Sequence, residues 1–132
     1  MQDMKERFGM SIMLITHAMG VVAEVAQRVV VVYAGKVVEE ASVEQLFANP
    51  RHPYTQGLIR SIPRIDMASA RKTRLQTIAG TVPKLINPPA GCRFASRCSL
   101  ATEDCRRAQP ALRELKPGHK VACIHAAEAV VR

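Results

Sequence analysis

Four cysteines are the residues of this sequence with the clearest capacity for chemistry. Cys92, Cys98 and Cys105 are separated by five and six residues, and Cys123 follows 18 residues after Cys105. Disulfides are disfavoured because no secretory signal peptide is recognisable at the N-terminus, so we expect a cytosolic chain. Structural zinc usually takes cysteine pairs about two to four residues apart, which is not the spacing here. An iron–sulfur cluster takes four thiolates and can draw them from a wider, irregular loop. At this point all three interpretations remain open.

The charge distribution limits the partners of the chain. Residues 1–50 have a net charge of −2 and residues 51–132 have +10, which gives +8 in total. A basic half suits an anionic cofactor, an acidic protein surface or nucleic acid. Single-stranded nucleic acid is disfavoured, because only 4% of the residues are aromatic and few rings could stack on bases. We expect the arginines next to the cysteines to offset the charge of a thiolate-bound centre; they are Arg93, Arg97, Arg106 and Arg107.

Short elements with clear boundaries must position these residues. The almost unbroken apolar run over residues 10–16 predicts a strand buried on both faces in a parallel sheet. Two β-branched runs around Ala34-Gly35 predict a hairpin, and Ser42 with Gln45 resembles a capping box that starts a helix. The predicted elements are a strand over 10–16, a helix within 18–27, hairpin strands over 29–33 and 36–39, and helices over 43–48 and 54–61.

After residue 63 the pattern changes to polar, basic and proline-containing sequence. We therefore predict an α/β unit over residues 1–63 and a small, irregular, cysteine-rich lobe over residues 64–132. Because the lobe has little apolar sequence of its own, a metal centre would add to its stability. No segment has the roughly 18 consecutive apolar residues of a membrane-spanning helix.

His17 directly follows the first predicted strand, at the edge where parallel sheets present side chains to ligands. Taken alone, such a histidine is more often a packed or solvated residue. The stretch ITHAMGVVAEVAQRVVVVYAGKVVE, however, closely resembles the end of the nucleotide-binding domain of ABC transporter ATPases. The resemblance implies the C-terminal fragment of a P-loop ATPase domain, with His17 as the switch histidine that reaches the γ-phosphate of ATP. The family commonly has Asp after this histidine, whereas this sequence has Ala18.

The other parts of an ATPase site are not found in this sequence. It contains neither the Gly-rich phosphate loop ending in Gly-Lys-Ser/Thr nor an apolar strand ending in Asp-Glu that would hold Mg²⁺, and the ABC signature is also missing. We therefore expect no ATP hydrolysis by this chain alone. The resemblance implies that a full-length parent would be a transport ATPase that binds ATP and Mg²⁺.

A second resemblance covers the rest of the chain. The stretch NPRHPYTQGL, followed by PPAGCRF, RC, DC, PGH and VAC, resembles the C-terminal extension of the oligopeptide/dipeptide importer branch of these ATPases. This resemblance implies a [4Fe–4S] cluster at Cys92, Cys98, Cys105 and Cys123, with zinc as the alternative. His119 and His125 are possible substitute ligands, but four cysteines already complete the set, so we interpret both as structural.

The sequence thus supports two hypotheses of different classes. The first is a C-terminal fragment of the ATP-binding subunit of an ABC importer for peptides, located at the cytosolic face of the cell membrane. Its implied partners are a second ATP-binding subunit and the permease subunits, without nucleic acid. The alternative is a free-standing metal-binding interaction module that uses its basic half to bind nucleic acid.

Overall fold

The computed structural model describes residues 7–62, 77–84 and 86–126, and its central feature is an antiparallel four-stranded sheet with the order β1-β2-β4-β3. The strands are β1 (Arg28–Tyr33), β2 (Lys36–Ser42), β3 (Arg113–Lys116) and β4 (His119–Val121). The helices are α1 (Met19–Val25), α2 (Val43–Ala48), α3 (Pro53–Arg60) and α4 (Glu103–Arg107), and a 3₁₀ turn covers Ala95–Arg97. None of these helices is long and apolar enough to cross a membrane.

The predicted hairpin is confirmed as β1 and β2. Tyr33 pairs with Lys36, and the two residues between them have positive φ angles, 47° at Ala34 and 77° at Gly35. A two-residue turn with both φ angles positive matches the right-handed twist of the strands that it joins. Gly35 adopts this conformation without a steric penalty, and β-branched valines fill the strand before it.

A bulge in β2 interrupts the alternation of buried and exposed residues. Val31 pairs with Glu39 and Val32 pairs with Val37, so Val38 is an extra residue on the β2 side. As a result, Val38 and Glu39 are consecutive and both buried. Bulges re-aim side chains in this way, and here the bulge directs a carboxyl group into the protein.

The buried carboxyl group of Glu39 has partners from two distant parts of the chain. It is 0% exposed. Its Oε1 accepts from the backbone N–H of Arg51 at 2.7 Å, and its Oε2 accepts from that of His52 at 2.9 Å. His119 Nε2, on β4, lies 2.7 Å from Oε1. These bonds compensate for the desolvation of the carboxyl group.

The helices predicted after the hairpin are also confirmed. Ser42 Oγ accepts from the backbone N–H of Gln45 at 3.2 Å, as a helix cap does. In α3 the cap is His52, whose Nδ1 accepts from the N–H of Tyr54 at 3.1 Å, and Pro53 occupies the first turn. Burial lowers the pKa of His52 to about 4. The imidazole is therefore neutral at pH 7, as an accepting Nδ1 requires.

The predicted strand over residues 10–16 is wrong. These residues have no regular secondary structure and are exposed, Met13 and Ile15 to 87% each. A strand buried on both faces needs hydrogen-bonded neighbours and covering layers. Within the described residues, β1 is an edge strand that pairs only with β2, and no pairing is parallel. The apolar composition of the run is real, but the described residues do not bury it.

The cysteine-containing half is joined to the hairpin through the sheet. Glu39 and Glu40 on β2 pair with Val121 and Lys120 on β4, and Val38 O accepts from the N–H of Ala122 at 2.8 Å. The hairpin of β3 and β4 was not predicted, so the lobe is more regular than expected. The predicted boundary at residue 63 lies outside the described residues and stays a prediction.

Aromatic packing makes a second connection between the two halves. Phe94 is buried in one cluster with Val31, Tyr33, Val38, Ala41 and Leu46. Its ring lies edge-on to Tyr33, with centroids 5.1 Å apart, and 5.5 Å from Tyr54. Such pairs contribute about 0.5–1.5 kcal/mol each beyond their buried area. The segment that holds Cys92 and Cys98 is therefore anchored in the core of the hairpin.

Replacing Glu39 should destabilise the fold far more than replacing its neighbour. In Glu39→Gln one acceptor oxygen becomes an NH₂ group, which cannot accept from the N–H of Arg51 or His52. We expect a loss of about 2–4 kcal/mol in the free energy of unfolding, measured by chemical denaturation.

The matched control is Glu40→Gln. Glu40 bonds to Arg28, a half-exposed residue, and should contribute less than about 1 kcal/mol. Equal losses for the two variants would show that the buried carboxyl group is not the anchor described above.

Candidate metal centre

The four cysteines lie on three segments that the fold brings together. Cys92 and Cys98 flank the 3₁₀ turn and are half-buried, whereas Cys105 in α4 and Cys123 after β4 are buried. All four are free thiols. Cys92 and Cys98 pack against the hairpin core, and Cys123 packs with Val121 on β4.

Close backbone contact holds the first and third cysteine segments together. The N–H of Cys92 donates to the carbonyl of Cys105 at 2.7 Å. Gly91 permits this approach, since a Cβ added there would lie 2.3 Å from Arg106 O and 2.4 Å from Cys105 O. A non-glycine residue could not occupy this position without separating the two segments.

The thiols are close enough to affect the pKa of one another. Burial raises the pKa of Cys92, Cys98 and Cys123, and it raises that of Cys123 to about 11. The other three cysteines add to the shift at Cys123, since like charges nearby disfavour its thiolate. These three thiols are therefore protonated at pH 7 in the metal-free chain. A metal that binds them must displace their protons.

Backbone N–H groups point at the sulfurs and favour their charged form. The N–H of Phe94 favours the thiolate of Cys92 and lowers its pKa against the effect of burial. The N–H groups of Leu100 and His125 do the same for the pKa of Cys98 and of Cys123. Hydrogen bonds of this kind stabilise thiolates and tune the metal centres that they bind. Four thiols, three of them with N–H donors and Cys105 with the hydroxyl of Thr102, fit an iron–sulfur centre in the chemistry of the donor set. In the residues described, however, no three His, Cys, Asp or Glu side chains are already arranged to hold a single metal ion.

The arginines next to the cysteines have other partners than expected. Arg93 donates to Ala34 O in the hairpin turn. Arg97 donates to the carbonyls of residues 78 and 79 at 2.7 Å each and lies over the Tyr33 ring. Arg106 and Arg107 form exposed ion pairs with acidic residues of their own helix. Arg93 and Arg97 therefore anchor loops. That the four arginines offset the charge of a bound centre stays a prediction.

The two histidines of the cysteine-containing half, His119 and His125, have different environments. His119 is buried against Glu39, so its interpretation as structural is confirmed. His125 Nε2 lies 3.3 Å from the hydroxyl oxygen of Thr102, which in turn lies 3.5 Å from Cys105 Sγ. This contact could not be predicted from the sequence, because Thr102 has the position and type of an ordinary helix cap.

His17 lies apart from the cysteines. It is exposed and lines an open cavity of about 290 Å³ between the N-terminal segment, α1, β1 and α3. Its neighbour Ala18 donates to Thr16 Oγ1 at 3.0 Å, which closes a local turn. The role of His17 as a switch residue stays a prediction.

Comparison with known proteins identifies the family. The model of the family "Oligopeptide/dipeptide transporter, C-terminal region" matches residues 38–105. The chain therefore belongs to this family, as the resemblance in the sequence predicted.

Curated relatives agree with this assignment. An ATP-binding protein of a peptide ABC transporter from Sinorhizobium fredii is 51% identical over 97% of this chain, which corresponds to 38% of the relative. The oligopeptide transport ATP-binding protein AppD of Bacillus subtilis is 50% identical over 93% of the chain and 37% of its own length. The chain thus spans less than two fifths of the relatives that it matches.

The contact at Gly91 gives a direct test of how the site is assembled. In Gly91→Ala the added methyl group would collide with the carbonyls of Cys105 and Arg106 and break the bond from the Cys92 N–H. We expect a loss of about 2 kcal/mol or more in the free energy of unfolding, measured by urea denaturation.

Gly20→Ala is the control, because a Cβ at this helical position meets nothing within 4 Å. It should stabilise α1 by up to about 1 kcal/mol. If Gly91→Ala were as harmless as Gly20→Ala, the segments of Cys92 and Cys105 would not be in close contact.

Proposed function

We propose that this chain is the C-terminal part of the ATP-binding subunit of an ABC importer for peptides. In the complete subunit, ATP binding and hydrolysis would be coupled to peptide uptake. The proposal is supported by the family assignment and by relatives whose names describe peptide transport ATP-binding proteins. The partners would be a second ATP-binding subunit and the permease subunits, at the cytosolic face of the membrane.

We also propose that His17 acts as the switch histidine of the complete subunit. An imidazole there can donate a hydrogen bond to a phosphate oxygen and so respond to the presence of the γ-phosphate. ATP and Mg²⁺ would be held by parts of the complete subunit that this sequence does not contain. The exposure of His17 at the edge of an open cavity is compatible with contact to such a site.

For the four cysteines we propose a [4Fe–4S] cluster, with Cys92, Cys98, Cys105 and Cys123 as its ligands. The observation that carries this proposal is the convergence of four thiols, of which Cys92, Cys98 and Cys123 have backbone N–H donors and Cys105 has the hydroxyl of Thr102. When bound, such a cluster supplies four iron–thiolate bonds and a one-electron redox couple. The N–H donors of the chain would offset the charge of the thiolates, and the buried position of Cys105 and Cys123 would limit solvent access.

The ATPase assignment predicts different behaviour for the chain and for the complete subunit. The isolated chain should neither hydrolyse ATP nor bind it tightly, because its sequence lacks the phosphate loop and the Mg²⁺ ligands. In the complete subunit, His17→Ala should remove most hydrolysis but leave ATP binding largely intact, since a switch residue acts after nucleotide has bound.

Calorimetry with Mg-ATP and steady-state hydrolysis assays test these two statements. His125→Ala in the complete subunit is a useful control, because His125 belongs to the cysteine region and not to the cavity of His17. Micromolar ATP affinity of the isolated chain, or unchanged turnover of His17→Ala, would contradict the assignment of the site.

The cluster proposal predicts a visible and stoichiometric product. Chain purified without oxygen, or reconstituted anaerobically, should be brown and contain iron and acid-labile sulfide in equal amounts. Replacing any one of the four cysteines with serine should weaken or abolish the cluster, whereas Ser96→Ala, at an exposed position of the same loop, should not. A colourless protein with stoichiometric zinc and no sulfide would replace the cluster by a structural zinc site.

A further inference from the structure

Thr102 has the position of a helix cap, but its side chain does not cap the helix. It directly precedes α4, where a threonine hydroxyl commonly accepts a backbone N–H of the first turn, but its side chain makes no such bond. Instead, Thr102 Oγ1 lies 3.5 Å from Cys105 Sγ and 3.3 Å from His125 Nε2. The hydroxyl group thus connects a proposed ligand sulfur to an imidazole that is 23 residues away in the sequence.

The direction of these two bonds follows from the chemistry of a ligand cysteine. A metal-bound cysteine is a thiolate and can only accept hydrogen bonds. The hydroxyl group of Thr102 must then donate its single hydrogen to Cys105 Sγ, which leaves its oxygen lone pairs free to accept. A neutral imidazole can donate to that oxygen only from a protonated Nε2, so the contact selects one tautomer of His125.

We infer that Thr102 and His125 form a hydrogen-bond relay that controls the charge on Cys105 Sγ and thereby the reduction potential of the centre. The inference rests on the proposed cluster. Both residues act as positioning residues, because they touch a ligand sulfur or its hydrogen-bond donor and are not ligands themselves.

The relay would distinguish Cys105 from the other three cysteines. The sulfurs of Cys92, Cys98 and Cys123 receive backbone N–H groups, which no side-chain substitution can remove. Beside Cys105 the donor is a side-chain hydroxyl, so the strength of its bond depends on residue type. His125 takes part twice, since its N–H points at Cys123 and its ring extends through Thr102 to Cys105. The third and fourth cysteines are therefore linked by one residue.

A midpoint potential measured on the reconstituted chain tests the relay. Hydrogen bonds to the sulfurs stabilise the more negative, reduced cluster, so their loss lowers the reduction potential. Thr102→Val keeps the shape of the side chain but removes the hydroxyl group. At a fixed applied potential, this variant should have a ratio of reduced to oxidised cluster that is about threefold to tenfold lower than in the wild type. Thr102→Ser should restore the wild-type value. His125→Phe, which retains the backbone N–H, should give a smaller shift in the same direction.

Thr81→Val is the control for a change of threonine to valine at an exposed position outside the site, and it should leave the potential unchanged. The iron and sulfide contents of each variant should match those of the wild type. A shift in potential then does not reflect loss of the cluster. A bound cluster whose potential is the same in Thr102→Val and in the wild type would overturn the inference.

A second measurement does not require the cluster. In the metal-free chain at about pH 9, where a free imidazole is neutral, the ¹⁵N shifts of the His125 ring should change in Thr102→Val and be retained in Thr102→Ser. If reconstitution yields no cluster but these shifts change, the proposed cofactor is wrong and the contact between Thr102 and His125 is supported. Unchanged shifts in Thr102→Val would overturn the relay, with or without a cluster.

Discussion

The burial of one carboxyl group, that of Glu39, is the constraint on which the arrangement of the other elements depends. A carboxyl group in the core must be hydrogen-bonded on both oxygens, or its desolvation is left uncompensated. Glu39 meets this condition with the N–H groups of Arg51 and His52 and with the ring of His119. The start of α3 and the position of β4 are therefore fixed relative to β2. The bulge at Val38 is what turns the carboxyl group inward in the first place.

The same constraint explains why the cysteine region is not an independent appendage. Cys123 follows β4 by two residues, so the position of β4 on β2 also determines where this cysteine lies. Phe94, between Cys92 and Cys98, fixes the other side of the region by packing against Tyr33 and Tyr54. The family match agrees with this view, because it begins at Val38, inside the hairpin, and extends through Cys105. The second hairpin strand belongs structurally to the cysteine region as much as to the segment before it.

Elements that depend on interactions between residues close in the sequence were predicted correctly. The glycine turn, the β-branched runs and the cap at Ser42 each depend on residues a few positions apart, and the hairpin and α2 formed as predicted. The strand predicted at residues 10–16 was wrong because an apolar composition shows only that a segment could be buried. It does not show whether other strands or helices are present to cover it. β3 and β4 were missed because their strands are short and mostly polar. They are held by pairing with a strand that is about 80 residues away in the sequence.

The candidate site was predictable in its residue types but not in its environment. The four cysteines were identified from the sequence, and the family resemblance implied a metal centre at them. The N–H donors, the contact at Gly91 and the hydroxyl of Thr102 arise only from tertiary structure. The sequence also led us to expect a lobe that depends on its metal for stability. The aromatic contacts of Phe94 and the bonds of Glu39 also hold the segments of Cys92, Cys98 and Cys123 against the hairpin.

Protonated buried thiols behave as small apolar side chains, so the metal-free site can pack without bearing charge. Metal binding would then replace these protons. The N–H groups and the hydroxyl of Thr102 would be in place to receive the charge that develops on the sulfurs.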